Sequence, residues 1–412
     1  MKIEASTVKG FQDYLPPESQ KREAIKKIVE KYFRLYGFLP VETPVIEFDE
    51  LMKSDTLPNE EEDEAISDRF RLKDRAGRNL GLRYEFTFQL ARIFKQNPTI
   101  KLPFKRYQIG PVFRDEPIRT GRTRQFVQCD ADIIGDKSVD ADAELISMFS
   151  DIFKELKIKD YEIEVNNRKL LNSIIESVQI GNPKVVMREL DKISKIGEDA
   201  VKTNLRKYTT PNQIVTLFKL LEKDLKFFKE NAFDGAEELE DFQDKCNDYG
   251  IKIKFNPFMI RGFGYYTGNI FEFITKNKTA CAGGGRFDNT VGKYSGREIP
   301  AVGISFSLEA IMGLFPEEIS KLDIDSTKAV LISISQDKET IKLSKKLRKS
   351  NVSCITQFVK PGKALEYANA MNIPYAIFIG EEEVDKKKFK LKNMESGKEE
   401  LLTEKQIIKK LS

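Results

Sequence analysis

Apolar and polar positions along this chain repeat with two periods, and the first third shows both. Ile25, Ile28, Val29, Tyr32, Phe33 and Tyr36 recur at helical spacing, which predicts an amphipathic helix over residues 17–36, stopped by Gly37. Residues 38–48 read as a strand, and Pro44 inside it argues for an edge or a bulge. An acidic run, Glu60–Glu64, reads as a solvated loop; a hairpin follows, with strands over 69–73 and 80–84 and a turn at Gly77. If the second of these strands runs on, Glu85 and Thr87 share one face before a helix that ends near Asn97-Pro98. Within 105–135 two strands are joined by a loop. In the second strand Val127, Cys129, Ala131 and Ile133 alternate with Phe126, Gln128, Asp130 and Asp132. One face is therefore apolar, and the other carries an aromatic ring, an amide and two carboxylates. Ser138 then precedes a helix with Asp140 and Asp142 in its first turns and Ala141, Leu145, Met148, Phe149, Ile152 and Phe153 as its buried stripe.

From about 166 to 250 strand signals fade into a helical segment rich in Lys, Glu and Leu. The core resumes over 255–275, and the glycine run Gly283-Gly284-Gly285 suits either a bend or close approach of a ligand to backbone. Gly262 and Gly264 do not make a dinucleotide fingerprint, because Thr267 stands where the third glycine is required. A strand over 300–306 leads into a helix over 308–315, then a polar linker to 327. Beyond it strands over 329–334, 353–358 and 375–380 alternate with helices over 339–349 and 363–371, the pattern of a small α/β domain with a mostly parallel sheet.

A length of 412 residues allows two or three domains. The 69 basic and 65 acidic residues nearly cancel, so any nucleic-acid contact must come from local patches. Cys129, Cys246, Cys281 and Cys354 lie too far apart for metal or redox spacing, and no metal site is expected from protein ligands. No apolar run is long enough to span a membrane and no signal region opens the chain, so a cytoplasmic protein is expected. There is no histidine. Chemistry must therefore run on carboxylates, arginines, tyrosines, backbone and the substrate itself.

The loop between the long strands carries Arg119, Arg122 and Arg124 around Gly121, after a first strand ending Phe113-Arg114-Asp115-Glu116. Arginine forks facing a polar sheet suit a large anion. The order Phe-Arg-x-Glu, loop, Arg122-x-x-x-Phe126 resembles motif 2 of class II aminoacyl-tRNA synthetases, and Gln128-Cys129-Asp130-Ala131-Asp132 resembles the histidyl-tRNA synthetase family in its archaeal and eukaryotic branch. Arg261-Gly262-Phe263-Gly264-Tyr265-Tyr266-Thr267-Gly268 closely resembles that family's second signature, and Leu82-Arg83-Tyr84-Glu85-Phe86-Thr87 its amino-group segment. The helix and strand around Pro44 look like motif 1, which implies a homodimer.

The resemblance implies an α+β fold: a class II antiparallel sheet of six to seven strands with flanking helices (1–165 and 251–318), a helical insertion domain (166–250) and a C-terminal α/β anticodon-binding domain (326–412). It implies ATP-dependent ligation of histidine to its cognate tRNA through a histidyl-adenylate, with ATP and Mg²⁺. Phe126 would stack on adenine and Glu116 accept from its amino group. Arg114 and Arg261 would flank the α-phosphate, and Arg122 would hold the outer phosphates. Glu85, Thr87 and Gln128 would bind the substrate ammonium; Asp132 and Tyr266, beside Tyr265, would bracket the imidazole. The insertion would lean on the tRNA acceptor stem, and KKKFKLK at 386–392 is either solvated or a phosphate contact. Four positions depart from the family: Glu85 for Asp, Gly264 for Asp, Phe287 for Tyr, and Ala310 for the motif 3 arginine that holds the γ-phosphate. These departures admit a second reading, an idle regulatory paralogue, although such subunits typically lack the C-terminal domain.

Overall fold

The computed structural model describes residues 5–52, 68–118, 123–261, 264–324 and 326–411. Residues up to Leu322 form one compact unit and the remainder a second. The acidic run Glu60–Glu64 lies outside the described residues.

The first unit is built on a sheet of eight strands among the described residues: β1 (Leu39–Pro40), β5 (Phe104–Phe113), β6 (Gln125–Ile134), β7 (Tyr161–Asn167), β8 (Lys254–Phe255), β9 (Asn269–Thr275), β10 (Ala280–Arg286) and β11 (Ala301–Ser307). Their order is β1-β5-β6-β11-β10-β9-β7-β8. The six inner strands are antiparallel throughout, and short β1 and β8 add parallel edges. The expected single strand over 38–48 is instead two. After β1 the chain leaves the large sheet, and Ile46–Phe48 (β2) joins Arg71–Lys73 (β3) and Asn79–Leu82 (β4) in a three-stranded sheet. Pro44 sits in the crossing, where no ladder donor is needed.

Register explains the two faces. Tyr107, Cys129, Ala131, Ile133, Val302, Ile304, Phe306, Phe271, Phe273, Ile163 and Val165 share the apolar core with the helices Glu18–Leu35 and Val139–Glu155. Ile25, Val29 and Phe33, the predicted stripe of the first helix, are fully buried in it. The other face is polar in transverse rows: Arg106, Asp132 and Gly303 in one, then Gln108, Asp130, Ser305, Gly283 and Glu272 in the next. Front and back chemistries separate because the pleat sends alternate residues to opposite sides.

The segment between β7 and β8 is helical, as expected, but it does not enclose a core of its own. Leu170, Leu217, Phe228 and Phe242 belong to the same apolar cluster as the sheet. Ser138 takes the N-cap position of helix Val139–Glu155 without a side-chain cap bond; its carbonyl accepts from Arg286, whose guanidinium also pairs with buried Asp142.

The second unit has strands β12 (Ala329–Ser333), β13 (Cys354–Gln357), β14 (Tyr375–Ile379), β15 (Phe389–Asn393) and β16 (Glu399–Leu402) in the order β13-β12-β14-β15-β16. The first three are parallel, and a C-terminal hairpin extends them antiparallel. In the basic run, Lys386 pairs with Glu382, while Lys390 and Lys392 lie 3.5 and 3.8 Å from Glu399. No helix among the described residues is long and apolar enough to cross a membrane.

Candidate active site

The polar rows on the front of the large sheet form the floor of the site. Gln128 Nε2 donates to Ser305 Oγ (3.0 Å) and Asp130 Oδ1 (3.1 Å), and Ser305 Oγ donates in turn to Asp130. Gln128 Oε1 is buried with no hydrogen-bond partner among the described residues, an acceptor left for something else. Asp132 lies against β11, where Gly303 makes room: a Cβ there would come within 2.0 Å of Oδ1. Burial pushes Asp130 up to about 7, opposed by the Arg106 cation and aided by Asp132. Burial likewise raises Asp132 to about 6.

Glu85 and Thr87 do share the site, but not on a strand. β4 ends at Leu82, and Thr87 occupies the N-cap position of helix Phe88–Gln96. Glu85 Oε1 accepts from Phe88 N at 2.6 Å, so the carboxylate sits on the helix's positive end. It is 4% exposed, and burial raises its affinity for a proton.

Arg114 lies where the long hairpin opens. Its guanidinium stacks 4.3 Å from the Tyr84 ring and 5.0 Å from the half-buried Phe126 ring, with Glu116 3.7 Å from Nη1. Glu309 fixes the start of β6: one oxygen accepts from Val127 N (2.9 Å), the other from Arg22 Nη2 (2.6 Å). Arg261 approaches from the loop before β9. Its Nε donates to Tyr266 Oη (3.2 Å) and Nη1 to Glu272 (2.9 Å). The glycine run is strand interior here and not a bend. A Cβ at Gly283 would lie 1.9 Å from Arg261 Nη1, and one at Gly284 would lie 1.9 Å from Gly303 O. Tyr265 packs against Tyr266 with the rings tilted (4.8 Å between centroids) and meets Phe287 edge-on (6.0 Å). Phe287 is 2% exposed, so an apolar ring at this position fits apolar surroundings.

Arg119 and Arg122 lie outside the described residues, as do Gly121, Gly262 and Phe263. Arg124, the remaining loop arginine, pairs with Asp115 (3.0 Å) and donates to Glu116 O (3.2 Å). Ala310 takes a helix-start position, its N–H donating to Ser307 Oγ. Arg106, Asp130 and Ser305 were not picked out as site residues from sequence. The signal was present in the alternation of Arg106 and Gln108 with Tyr107 and Ile109, which matches the polar face of β6.

An antiparallel sheet of six long strands, with an arginine over a motif 2 hairpin and a second arginine over a glycine strand, defines a class II aminoacyl-tRNA synthetase core. Residues 10–311 match the histidyl-tRNA synthetase family and residues 328–412 the anticodon binding domain family. "Histidine--tRNA ligase 1" of Bacillus cereus is 39% identical over 421 residues, covering 96% of this chain and 95% of that protein. "Histidine--tRNA ligase" of Clostridium tetani is 32% identical, covering 99% and 98%. The crystal structure of histidyl-tRNA synthetase from Nostoc sp. PCC 7120 superposes with a TM-score of 0.86 at 26% identity, over 100% of this chain and 99% of that one. The chain belongs to the histidyl-tRNA synthetase family. The expected archaeal and eukaryotic branch is not borne out, since these relatives are bacterial.

Proposed function

We propose that this chain activates histidine with ATP and transfers it to its cognate tRNA. The observation that carries this reading is the charge order across one sheet face. Buried acceptors (Glu85, Asp130, Asp132 and the free oxygen of Gln128) lie on β6 and beside it, and arginines 114 and 261 flank them. An amino acid has this polarity: a cationic ammonium at one end and a carboxylate that must meet a phosphate at the other.

In the reading we adopt, Glu85, Thr87 and Gln128 take the ammonium. Asp132 accepts from one imidazole nitrogen and Tyr266 serves the other. A side chain lacking that pair of polar atoms would leave buried groups unpartnered, which is how such sites reject analogues. Phe126 stacks on adenine, already flanked by the Arg114 guanidinium, and Glu116 accepts from the adenine amino group. The substrate carboxylate attacks the α-phosphate, and charge accumulates on the phosphoryl oxygens as pyrophosphate leaves. Arg114 and Arg261 neutralise that charge, their orientation set before reaction by Tyr84, Tyr266 and Glu272. No protein base is required, because the nucleophile is already a carboxylate. Mg²⁺, which the family uses with ATP, would screen the phosphate charges. Among the described residues no three carboxylates or thiols are arranged to hold a metal ion, so phosphate oxygens would supply most of its ligands.

The tRNA is the partner of the C-terminal unit. A homodimer is supported by exposed apolar side chains around the first strands: Leu39 (57%), Ile46 (48%) and Phe48 (47%). The idle-paralogue reading is not favoured, because the anticodon binding domain is present and both arginines are in place. The test is ATP–pyrophosphate exchange: exchange that depends on histidine is expected, and absence of exchange with every amino acid overturns the proposal.

A further inference from the structure

In the floor of the site lies Arg106, fully buried on β5 opposite Asp132. Its Nη2 is 2.5 Å from Asp132 Oδ2 and donates to Phe86 O at 3.2 Å. Its Nε and Nη1 are buried and have no hydrogen-bond partner among the described residues. A guanidinium is rarely left with donors unmet, and a buried one without compensation is costly. What compensates is charge. Arg106 is the cation that acts on Asp130 and Asp132 and, more weakly, on Glu85. Three carboxylates thus face one buried guanidinium, so the ionised cluster keeps a net negative charge that a substrate ammonium would reduce.

We infer that Arg106 is a positioning residue for histidine recognition: it touches no substrate atom, but holds Asp132 against β11 as an ionised acceptor within a cluster that stays net negative and so draws an ammonium. This rests on the histidine-binding reading of the site. An ionised Asp132 can only accept, so it selects an imidazole nitrogen that carries hydrogen. A protonated Asp132 would donate and accept the wrong tautomer or none.

The groups facing the cluster are Glu85 from the segment after β4, Asp130 and Gln128 from β6, and Ser305 from β11. The phenols of Tyr265 and Tyr266 face it from the loop before β9; Arg261 acts on Tyr265 and is itself paired with Glu272. Removing the Arg106 cation removes the main influence that keeps protons off Asp130 and Asp132; on Glu85 the hydrogen bonds from Thr87 and Phe88 outweigh it.

The experiment compares the parent with Arg106→Met, Arg106→Gln and Arg106→Lys by histidine calorimetry and by exchange kinetics from about pH 6 to about pH 9. In the neutral variants KM for histidine at about pH 7 should rise about tenfold or more, with KM for ATP within about twofold, and should fall back toward the parent as pH rises and the carboxylates ionise. Arg106→Lys, which keeps the charge but not the fork, should restore part of the affinity. A purely structural arginine would raise both KM values together and show no recovery with pH; that outcome, or an unchanged KM for histidine, overturns the inference. If neither neutral variant folds, Arg106→Lys decides: a rise in KM for histidine alone supports the role and no change refutes it. A parent that binds histidine without exchanging pyrophosphate loses the activity reading but not this one; a parent that binds no histidine loses both.

Discussion

Asp132 shows how much a single residue's role depends on its neighbours. Alternation placed it on the polar face of its strand, but not its contact with Arg106 or its fit against Gly303. Asp132→Ala should raise KM for histidine far more than KM for ATP; equal effects would remove it from the imidazole site. Its pH behaviour follows from burial. Asp130 and Asp132 are pushed up to about 7 and about 6, so the free enzyme gathers protons on them as pH falls through that window. Protonated carboxylates cannot balance an ammonium, so kcat/KM for histidine should drop as pH goes from about 8 to about 6. Substrate imidazole titrates in the same range, and Asp132→Asn separates the two. The variant should keep the substrate's contribution and lose part of the slope, whereas identical profiles would show that Asp132 does not titrate there.

At the scale of elements, the glycine strand β10 holds Arg261 in place. Gly283 and Gly284 point to opposite faces, so the same substitution should fail in two different ways. At Gly283 the new methyl meets the end of a flexible guanidinium, which can move aside. Gly283→Ala should therefore leave the fold close to intact while lowering the adenylation rate constant, much as Arg261→Lys would, with a smaller change in ATP affinity. At Gly284 the methyl meets the Gly303 carbonyl, a piece of backbone held by the β10–β11 ladder. Gly284→Ala should cost stability, about 1–3 kcal/mol by the scale of overpacked cores, and lower Tm before any kinetic effect is read. Thermal unfolding beside single-turnover kinetics distinguishes the pair. A Gly283→Ala variant with normal chemistry would show that Arg261 acts from another position.

These 412 residues contain no histidine, although the chain belongs to a family whose relatives are named for attaching it. If it charges tRNA with histidine, its own translation never consumes that product, and its synthesis should persist when histidine runs short. Labelling of new protein in histidine-starved cells checks this. Synthesis falling as steeply as that of histidine-containing proteins of similar length would defeat the idea, and adding surface histidine codons should abolish any advantage without altering activity in vitro.

Much of the architecture was legible because it rests on local periodicity. The stripe of Ile25, Val29 and Phe33 can pack only as a helix face, and Cys129, Ala131 and Ile133 only as one side of a strand; the split into a large unit and a C-terminal α/β unit follows the change in period near residue 320. The resemblance rested on short ordered motifs, which survive in sequence because each motif residue has a fixed neighbour along the chain. What tertiary structure alone decided are relations between residues far apart in sequence. Pro44 lies in the crossing that carries the chain from one sheet to another; Glu85 is a helix-end carboxylate rather than a strand residue; the glycine run is a cradle for Arg261; and Arg106 becomes part of the site only because register sets it opposite Asp132. Register and burial arise from pairing between distant strands, and periodicity within one strand carries no record of which partner it will meet.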